Sequence, residues 1–350
     1  MSQELKSVLL IGGAGFLGLH LIEQFSKLSP NTKIHVFDVR PLPEKLSTYF
    51  TFNPEEIKFY KGDLTSAQDV TDAIIDSQCQ VVVHSASPMH GLPQEIYEKV
   101  NVNGTNNVIE VSKKNSHIVK ALVYTSSAGV IFNGQDVKNA DERWPYPEVH
   151  MDGYNETKAI AETAVLNANS PQLLTVCLRP AGIFGPGDRQ VVPGFRASAK
   201  LGQSKYQLGD NNNLFDWSYV GNVADAHVLA AQKSLIPEYA NKIGGETFFV
   251  TNDAPLYFWT LARTVWKADG YVDSYYIKLS RSLGIALGYL SEAFSTLAGK
   301  EAGLTPFRVK IACAHRYHNI SKAKEILGYK PNVDIESGIK YTLDWMNESL

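Results

Sequence analysis

The sequence predicts an α/β fold, a doubly wound parallel sheet that carries a smaller, mostly helical lobe. In the first half of the chain, strand-like apolar runs alternate with segments of helical length. The runs are continuously apolar, as in VLLI, IHVF and VVVH, which is typical of strands buried on both faces. A glycine-rich turn follows the first run directly and opens a helix. Together these observations favour a parallel sheet covered by helices on both faces.

Each predicted strand is centred on one of these apolar runs. The predicted strands are Ser7–Gly13, Lys33–Val39, Ile57–Asp63, Val81–Ser87, Ala121–Ser127 and Leu173–Phe184. The helices predicted between them from length and apolar spacing are Phe16–Leu28, Ala67–Ser77, Gly104–Lys114 and Asn155–Ala168. A late strand, Glu246–Thr251, is expected to join the edge of the sheet.

The pattern changes after Pro186, where glycine, proline and asparagine cluster at residues 185–194 and 208–217. We expect residues 1–185 to form the sheet domain, to which the late strand at 246–252 returns. Residues 186–350 are expected to form the smaller lobe. A chain of 350 residues is long enough for either two domains or one large elaborated domain.

Composition excludes several classes of protein. Apolar residues make up 44% and charged residues 20%, as in foldable globular chains. The net charge of −3 argues against a general nucleic-acid binder, which needs a basic surface. Cys79, Cys177 and Cys313 are far apart and lack metal-ligand spacing, so no metal site is predicted. Cys79 and Cys177 are expected to be buried as small apolar residues.

One segment raises the question of membrane contact. The chain has no run of 18 uncharged apolar residues, and the nearest candidate is Leu283–Gly299, which contains Glu292. It predicts either an ordinary buried helix or a monotopic segment in a membrane interface, and the residues alone favour the buried helix. Met1–Lys6 lacks a signal core, so we expect folding in a reducing, cytosol-facing compartment.

The turn after the first strand predicts a dinucleotide site. It reads Gly12, Gly13, Ala14, Gly15, Phe16, Leu17 and Gly18. Gly13, Gly15 and Gly18 match the pattern G-x-G-x-x-G, in which glycine allows a tight turn, close approach of a pyrophosphate and helix–strand packing. The following helix offers free N–H groups to the anion. Residues 1–185 are therefore predicted to form an NAD(P)-binding domain of the Rossmann type.

Asp38 ends the second strand, twenty residues beyond Gly18, where a carboxylate would bond a ribose 2′-hydroxyl. Its charge would repel a 2′-phosphate, which favours NAD. Arg40 could accommodate that phosphate if Asp38 moved aside, so NADP stays open.

Two further loops at strand ends are predicted to approach the cofactor. Asp63 closes the third strand, where it would either form the turn or accept a hydrogen bond from the adenine amino group. Ser85, Ala86 and Ser87 end the fourth strand, and their small side chains would let the cofactor pass close to the backbone.

Tyr154 and Lys158 are the predicted catalytic pair. They lie four residues apart, which places a phenol and an ammonium on one face of a helix. A nearby cation stabilises the phenolate and lowers the pKa of tyrosine, so that it can act as a base. Ser126 and Ser127 at the end of the fifth strand supply a hydroxyl to orient the substrate oxygen.

These motifs resemble those of the extended short-chain dehydrogenase/reductase superfamily. So do NVNGTNNV (101–108), LRPAGIFGPGD (178–188), FDWSYVGNVADAH (215–227) and RYHNISKAKEILGYKP (316–331). Within it, the chain resembles the 3β-hydroxysteroid dehydrogenase branch, and more closely the fungal decarboxylating sterol-4α-carboxylate 3-dehydrogenases. The closer match lies in residues 85–91, SSAGVIFNGQDV (126–137) and LTPFRVKIACAHRYHNI (304–320).

The resemblance implies roles for individual residues. It assigns Leu64 with Asp63 to adenine, and Pro180 with Ala181 to the region behind the nicotinamide. The family serine precedes a small residue and then a valine, which fits Ser127 slightly better than Ser126. Ile11 stands where many relatives have threonine, which loses a hydroxyl near the turn.

The implied function is the NAD(P)-dependent oxidation of the 3β-hydroxyl of a 4α-carboxysterol, with loss of carbon dioxide, in ergosterol synthesis. The resemblance also implies the cytosolic face of the endoplasmic reticulum membrane, with peripheral or monotopic contact through 283–299. Other enzymes of sterol C4 demethylation are expected partners, and pairing through the helices 104–114 and 155–168 would suit a homodimer. No nucleic-acid partner is expected.

The residues leave some choices open. Arg189, Arg196 and His90 either bind the substrate carboxylate or lie on the solvated surface, and Phe195, Trp217 and Tyr219 either line a sterol site or belong to the core. The alternatives for function are a nucleotide-sugar epimerase or dehydratase of the same superfamily, and a non-catalytic NAD(P)-binding protein.

Overall fold

A seven-stranded parallel sheet forms the centre of the molecule. The computed structural model describes residues 4–28, 31–299 and 302–348. Its strands are β1 (Ser7–Ile11), β2 (Lys33–Asp38), β3 (Lys58–Lys61), β4 (Val81–His84), β5 (Ala121–Thr125), β6 (Val137–Ala140), β7 (Leu174–Pro180), β8 (Gly182–Phe184), β9 (Tyr206–Leu208), β10 (Leu214–Phe215), β11 (Trp217–Tyr219), β12 (Glu246–Val250), β13 (Leu256–Tyr257), β14 (Ile277–Leu279) and β15 (Arg316–His318).

Helices lie between most of the strands. The α-helices are α1 (Phe16–Leu28), α2 (Ala67–Ser77), α3 (Gln94–Tyr97), α4 (Thr105–Lys114), α5 (Gly153–Asn167), α6 (Val191–Lys200), α7 (Val220–Ser234), α8 (Pro237–Ile243), α9 (Phe258–Ala268), α10 (Arg281–Ala298), α11 (Pro306–Cys313) and α12 (Ile335–Glu348). A π-helical segment, Glu98–Gly104, joins α3 to α4, and a second is Ala323–Leu327. Short 3₁₀ turns are Pro54–Glu56 and Ala128–Ile131.

The order of strands in the main sheet is β12-β7-β5-β4-β1-β2-β3, and every neighbouring pair is parallel. Leu10 of β1 lies between Val36 of β2 and Val83 of β4, and all three side chains are fully buried. Chain order reverses direction at β1 and β4. In such a sheet the crevice beyond the carboxyl ends of these strands is the usual ligand site. The predicted doubly wound parallel sheet is confirmed.

A second, four-stranded sheet has the order β13-β10-β15-β6 and lies outside the main one. Two small pairs, β11 with β8 and β14 with β9, complete the strand pairing of the described residues. The prediction of one strand over 173–184 is wrong, because the chain leaves the main sheet at Pro180 and β8 pairs with β11 instead. Proline has no amide hydrogen to continue the ladder.

The bounds of other elements differ from prediction for local reasons. The first strand ends at Ile11 because Gly12 takes a left-handed backbone angle, φ +86°, that extended strands do not have. The third, fourth and fifth strands end before their predicted polar termini. The helix predicted over 155–168 is α5, and it begins at Gly153 because Asp152 caps it. The Asp152 side chain accepts a hydrogen bond from the Asn155 N–H.

The core lies on both faces of the sheet. β1, β4 and β5 are buried along their whole length, which explains why their sequences show no alternation of apolar and polar residues. Cys79 and Cys177 are buried, as predicted.

The segment predicted over 283–299 forms α10, and the rest of the molecule covers only one of its faces. One face packs on α11, where a Cβ on Gly288 would lie 2.7 Å from the nitrogen of Pro306. The other face exposes six large apolar side chains: Leu283, Leu287, Tyr289, Leu290, Phe294 and Leu297. An ordinary buried helix is therefore the wrong description. Within residues 4–28, 31–299 and 302–348, no helix has the length and hydropathy to cross a membrane.

Candidate active site

The glycine-rich turn between β1 and α1 is packed so tightly that three of its glycines admit no side chain. A Cβ on Gly12 would lie 2.6 Å from the Ala86 nitrogen, and one on Gly13 would lie 2.8 Å from Val36. A Cβ on Gly18 would lie 2.3 Å from the Gly12 carbonyl oxygen. The turn therefore presents bare backbone and the N-terminus of α1 to the crevice. This cradle fits a pyrophosphate, which favours such N–H groups.

Asp38 is held on the same edge. Its Oδ2 accepts a hydrogen bond from the Ala14 N–H at 3.1 Å, and its Oδ1 accepts one from the Arg40 N–H at 3.1 Å. The carboxylate is buried and thus ties the end of β2 to the glycine turn. Moving it aside for a 2′-phosphate would break both hydrogen bonds, while its remaining lone pairs can still accept one from a ribose hydroxyl.

The loops after β3 and β4 are each held by their own contacts at the edge of the sheet. Asp63 Oδ1 accepts a hydrogen bond from the Thr65 N–H, so this side chain does form the turn. Leu64 packs against Gly104, where an added Cβ would lie 1.7 Å from Leu64 Cδ1. The Ser85 N–H and hydroxyl both donate to the Ile11 carbonyl, which holds the β4 loop against the end of β1.

Tyr154 lies in the first turn of α5 between two serines. The hydroxyls of Ser87 and Ser127 lie close enough to the phenol to favour its ionised form. Burial raises the pKa of Tyr154 to about 12, while these two hydroxyls act in the opposite direction. The Ser87 hydroxyl also donates to Asn101 Oδ1 at 2.9 Å. The predicted tyrosine and one of the two predicted serines are therefore together, with Ser87 as an additional neighbour.

Ser126 and Ser127 are placed differently. Ser127 Oγ accepts a hydrogen bond from the Gly129 N–H at 3.0 Å, which caps the 3₁₀ turn. Ser126 is buried, and its hydroxyl has no hydrogen-bond partner among the described residues. Its backbone N–H donates to the Leu178 carbonyl. The geometry thus favours Ser127 as the group beside the phenol.

Lys158 is buried one helical turn beyond Tyr154. Its Nζ donates to the Thr125 carbonyl at 2.5 Å and lies 4.3 Å from the centroid of the Tyr124 ring. Burial lowers the pKa of Lys158 to about 7, with Glu162 acting in the opposite direction. The Thr125 hydroxyl is in turn 2.7 Å from Nε2 of the buried His227. The strand end that bears the serines therefore also holds the lysine.

Pro180 and Ala181 end β7, the neighbour of β5 in the sheet. The Ala181 N–H donates to the Val250 carbonyl of β12. Because parallel strands end at one edge, these residues share the edge with Ser127 and the glycine turn.

The family follows from the sequence comparison. Residues 9–281 match the profile of the 3-beta hydroxysteroid dehydrogenase/isomerase family. The chain belongs to this family.

Relatives named sterol-4-alpha-carboxylate 3-dehydrogenase, decarboxylating, match nearly the whole chain. The protein of Candida albicans is 73% identical over 100% of this chain and 100% of its own length. That of Saccharomyces cerevisiae is 66% identical over 99% of both. That of Homo sapiens is 36% identical over 97% of this chain and 87% of its own. The resemblance to the 3β-hydroxysteroid dehydrogenase branch is confirmed.

Solved structures share the fold. dTDP-glucose 4,6-dehydratase from Bacillus anthracis, in complex with NAD, matches with a TM-score of 0.71 at 19% identity, over 98% of this chain and 96% of its own. UDP-glucose 4-epimerase from Thermus thermophilus, also with NAD, matches with a TM-score of 0.70 at 22% identity, over 98% and 100%. At these identities the likeness shows that this 3β-hydroxysteroid dehydrogenase family member has the Rossmann-type fold, and nothing further.

Two residues of this region differ in what the sequence revealed. His90 was considered only as a ligand for the carboxylate, and Arg316 was not considered. The His90 ring lies against the Tyr154 ring, with centroids 3.8 Å apart, and its Nδ1 is 3.7 Å from Asp152 Oδ2. Arg316 of β15 was missed altogether. The only signal for it was an arginine in a strand between the buried residues Ala314 and His318.

The other arginines considered for a carboxylate are less suitable. Arg196 Nε already donates to Asp269 Oδ2 at 2.6 Å, and Arg189 is exposed. Arg196 therefore lacks a free charge for a ligand.

Aromatic side chains form a cluster behind the second sheet. Phe215 and Trp217 have ring centroids 4.4 Å apart, and Phe195 and Phe258 pack on Trp217. Tyr219 lies elsewhere, because its hydroxyl hydrogen-bonds that of Tyr49 near α1. In the part of the chain that the structure describes, no three His, Cys, Asp or Glu side chains converge as a metal site would require.

Proposed function

We propose that the protein is an NAD(P)-dependent sterol-4α-carboxylate 3-dehydrogenase of the decarboxylating type, acting in ergosterol synthesis. The observation that carries the proposal is the Ser127 hydroxyl beside the Tyr154 phenol, at the sheet edge that also bears the glycine turn. The names of the full-length relatives at 73% and 66% identity supply the substrate class.

For the cofactor we propose NAD rather than NADP. Asp38 supports this, because its carboxylate is anchored by two backbone N–H groups and would repel a 2′-phosphate. The glycine turn would hold the pyrophosphate, and Asp38 the adenine ribose. When bound, the nicotinamide ring supplies the hydride acceptor for the carbon that is oxidised.

Tyr154 acts as the general base. It removes the proton of the sterol 3β-hydroxyl, while Ser127 hydrogen-bonds the same oxygen. Burial keeps the phenol protonated at neutral pH, since the pKa of Tyr154 is raised to about 12 even though Ser87 and Ser127 act to lower it. Formation of the phenolate therefore depends on a positive charge on Lys158. Base catalysis of this kind contributes about 10²- to 10⁴-fold in rate.

Loss of carbon dioxide follows from the position of the carboxylate. Once C3 is a ketone, the carboxylate on C4 is that of a β-keto acid. The bond between C4 and the carboxyl carbon breaks, and its electron pair forms a double bond between C3 and C4, placing negative charge on the C3 oxygen. The Tyr154 and Ser127 hydroxyls, which already contact this oxygen, stabilise the charge. A proton from the solvent then adds to C4.

The test uses purified protein, a 4α-carboxysterol, and NAD or NADP supplied separately. Reduced cofactor and carbon dioxide should form in equal amounts, faster with NAD. Tyr154→Phe should lower turnover by about 10²- to 10⁴-fold with the protein still folded by circular dichroism. Near-normal turnover in that variant, or reduced cofactor without carbon dioxide, would contradict the mechanism.

A nucleotide-sugar epimerase or dehydratase is the second candidate, since such an enzyme would use the same set of Tyr154, Lys158 and Ser127. The exposed apolar face of α10 argues against it, because a nucleotide sugar is a polar, water-soluble substrate. Turnover of UDP-glucose in place of the sterol would support it. Cofactor binding without oxidation of either substrate would instead support a non-catalytic NAD(P)-binding protein.

We also propose that α10 attaches the protein to the cytosolic face of the endoplasmic reticulum membrane. Leu290, Phe294 and Leu297 are 67%, 73% and 88% exposed and follow one another at helical spacing, as in helices that lie in a membrane interface. Leu290→Glu should weaken co-sedimentation with phosphatidylcholine vesicles. Val149→Glu, at another exposed apolar residue, is the control and should leave it unchanged. Equal binding by wild type and Leu290→Glu would contradict the attachment.

A homodimer through α4 and α5 is proposed as well, alongside contact with other enzymes of sterol C4 demethylation. Ile160 supports the dimer, because it is an exposed isoleucine in the middle of α5. Ile160→Glu should shift the sedimentation coefficient from dimer to monomer. A wild type that sediments as a monomer at micromolar concentration would rule the dimer out.

A further inference from the structure

Arg316 is an arginine without a partner. It is partly buried, yet its guanidinium donates no hydrogen bond and has no carboxylate within 4.0 Å among the described residues. Arg40 and Arg189 are exposed. The remaining arginines each bond a carboxylate, a carboxamide or a backbone carbonyl. A shielded guanidinium with all five donors free is unusual, because buried charges are normally paired.

Two aromatic rings hold the guanidinium. Its central carbon lies 4.2 Å from the centroid of Phe132 and 5.2 Å from that of Phe215. Such contacts stabilise the cation but use the faces of the group, so its N–H donors stay available at the edge. Burial lowers the pKa of Arg316 to about 10, while Asp152 and Asp216 act in the opposite direction. The side chain is therefore positively charged at neutral pH.

The two carboxylates that influence Arg316 are engaged elsewhere. Asp216 Oδ2 accepts a hydrogen bond from the His318 N–H at 2.7 Å and lies 3.1 Å from His318 Nδ1. Asp152 Oδ1 accepts the Asn155 N–H at 2.8 Å, and its Oδ2 faces His90. Both moderate the charge of Arg316 from a distance, and neither satisfies its donors.

Arg316 lies between the elements that carry Tyr154 and Ser127 and the aromatic cluster around Trp217. Phe132 ends the 3₁₀ turn that Ser127 caps, and Asp152 caps the helix that carries Tyr154. Phe215, on the other side, packs on Trp217 in the aromatic cluster. A ligand whose reacting end lies beside Tyr154 would therefore bring a neighbouring carboxylate toward the guanidinium.

We propose that Arg316 binds the C4 carboxylate of the sterol substrate. The inference rests on the proposed function and extends it to a binding residue. The carboxylate is attached to the carbon next to the one that is oxidised, so it must lie near the oxygen held by Tyr154 and Ser127. A guanidinium fork matches the two carboxylate oxygens, and a charged pair of this kind is strong where water is excluded.

Arg316 then makes the enzyme selective for carboxylated sterols. When carbon dioxide leaves, the anion disappears and the ketone loses this contact, which favours release of the product. Arg316 is thus a binding residue for the substrate and takes no proton.

The test compares two sterols that share a 3β-hydroxyl, one with a 4α-carboxylate and one with a 4α-methyl group. The ratio of kcat/KM for the two is measured on the same preparation, so any unfolded fraction cancels. Arg316→Met should lower this ratio by about 10- to 100-fold, mainly through KM for the carboxylated sterol. Arg316→Lys should give an intermediate ratio. Arg143→Met, at an arginine 91% exposed, is the matched control and should keep the wild-type ratio.

Several outcomes would overturn the inference. An equal loss for both sterols would show that Arg316 only supports the fold between its two rings, and no loss would place the carboxylate elsewhere. A wild type that oxidises both sterols equally well would refute the selectivity while leaving the dehydrogenase function intact.

A different result would show that the proposed function itself is wrong, namely a wild-type protein that oxidises neither sterol. In that case the dissociation constant of the carboxysterol, measured by tryptophan fluorescence, still tests Arg316. A constant that is unchanged in Arg316→Met would overturn the inference.

Discussion

Lys158 should lower the free energy of unfolding of the protein. Replacing it should therefore raise stability while it removes activity. Burial brings the pKa of Lys158 from 10.5 to about 7 in the folded chain. The unfolded chain therefore binds more protons at this position between pH 7 and 10.5, and stability is lost as the pH falls through that range. The loss amounts to about 4 kcal/mol at pH 7 and about 2 kcal/mol at pH 9.

Lys158→Met removes this loss, together with the hydrogen bond to Thr125 and the contact with the Tyr124 ring. Those two contacts contribute about 1 to 2 kcal/mol. The variant should therefore be more stable than wild type by about 2 to 3 kcal/mol at pH 7, and nearly equal to it at pH 9. Methionine is close to lysine in length and apolar, so it should fill the same space.

Urea unfolding of both proteins at pH 7, 8 and 9, without cofactor, measures the difference in free energy of unfolding. Other groups titrate alike in the two proteins and cancel in this difference. Lys114→Met, which removes an exposed lysine from α4, controls for the change in net charge. A difference that stays constant from pH 7 to 9, or a variant less stable at pH 7, would refute the reasoning.

Three further variants test the cofactor site and the core. Asp38→Asn should raise kcat/KM for NADP relative to NAD by about 10- to 100-fold, because it removes the repelling charge but keeps an oxygen for the Ala14 N–H. Initial rates with each cofactor measure this ratio. Gly18→Ala should abolish NAD binding in calorimetry, since its Cβ would meet the Gly12 carbonyl. Glu162→Gln should lower the free energy of unfolding by about 3 to 5 kcal/mol in urea, because it leaves the buried Arg179 without its carboxylate; a loss below about 1 kcal/mol would contradict this.

Sequence reasoning succeeded where a short stretch of chain determines its own geometry. The glycine turn is an example, since a Cβ on Gly18 would meet the Gly12 carbonyl within the same turn. The spacing of Tyr154 and Lys158 is another, because a helix places such residues on one face. The sheet order also follows from rules on the connection of parallel strands.

It failed where the partner comes from a distant part of the chain. Arg316 and His90 approach the region of Tyr154 only because β15 and the loop after β4 fold onto it, and no local pattern reports that contact. Residues 173–184 were predicted as one strand because β7 and β8 are both apolar, although Pro180 marks the point at which they divide between two sheets. The exposure of α10 could not be predicted either, because composition does not show which residues cover a helix.

The last strand of the main sheet has a consequence for synthesis of the chain. β12 covers the outer edge of β7, and Phe248, Phe249 and Val250 are fully buried there. During translation β7 leaves the ribosome about 65 residues ahead of β12, which corresponds to roughly 3 to 13 s at ordinary rates of elongation. For that interval an apolar strand has an open edge, the kind of surface on which nascent chains aggregate. A fragment ending at residue 185 would keep that edge permanently, so the cofactor-binding half should need the later lobe in order to fold without a chaperone.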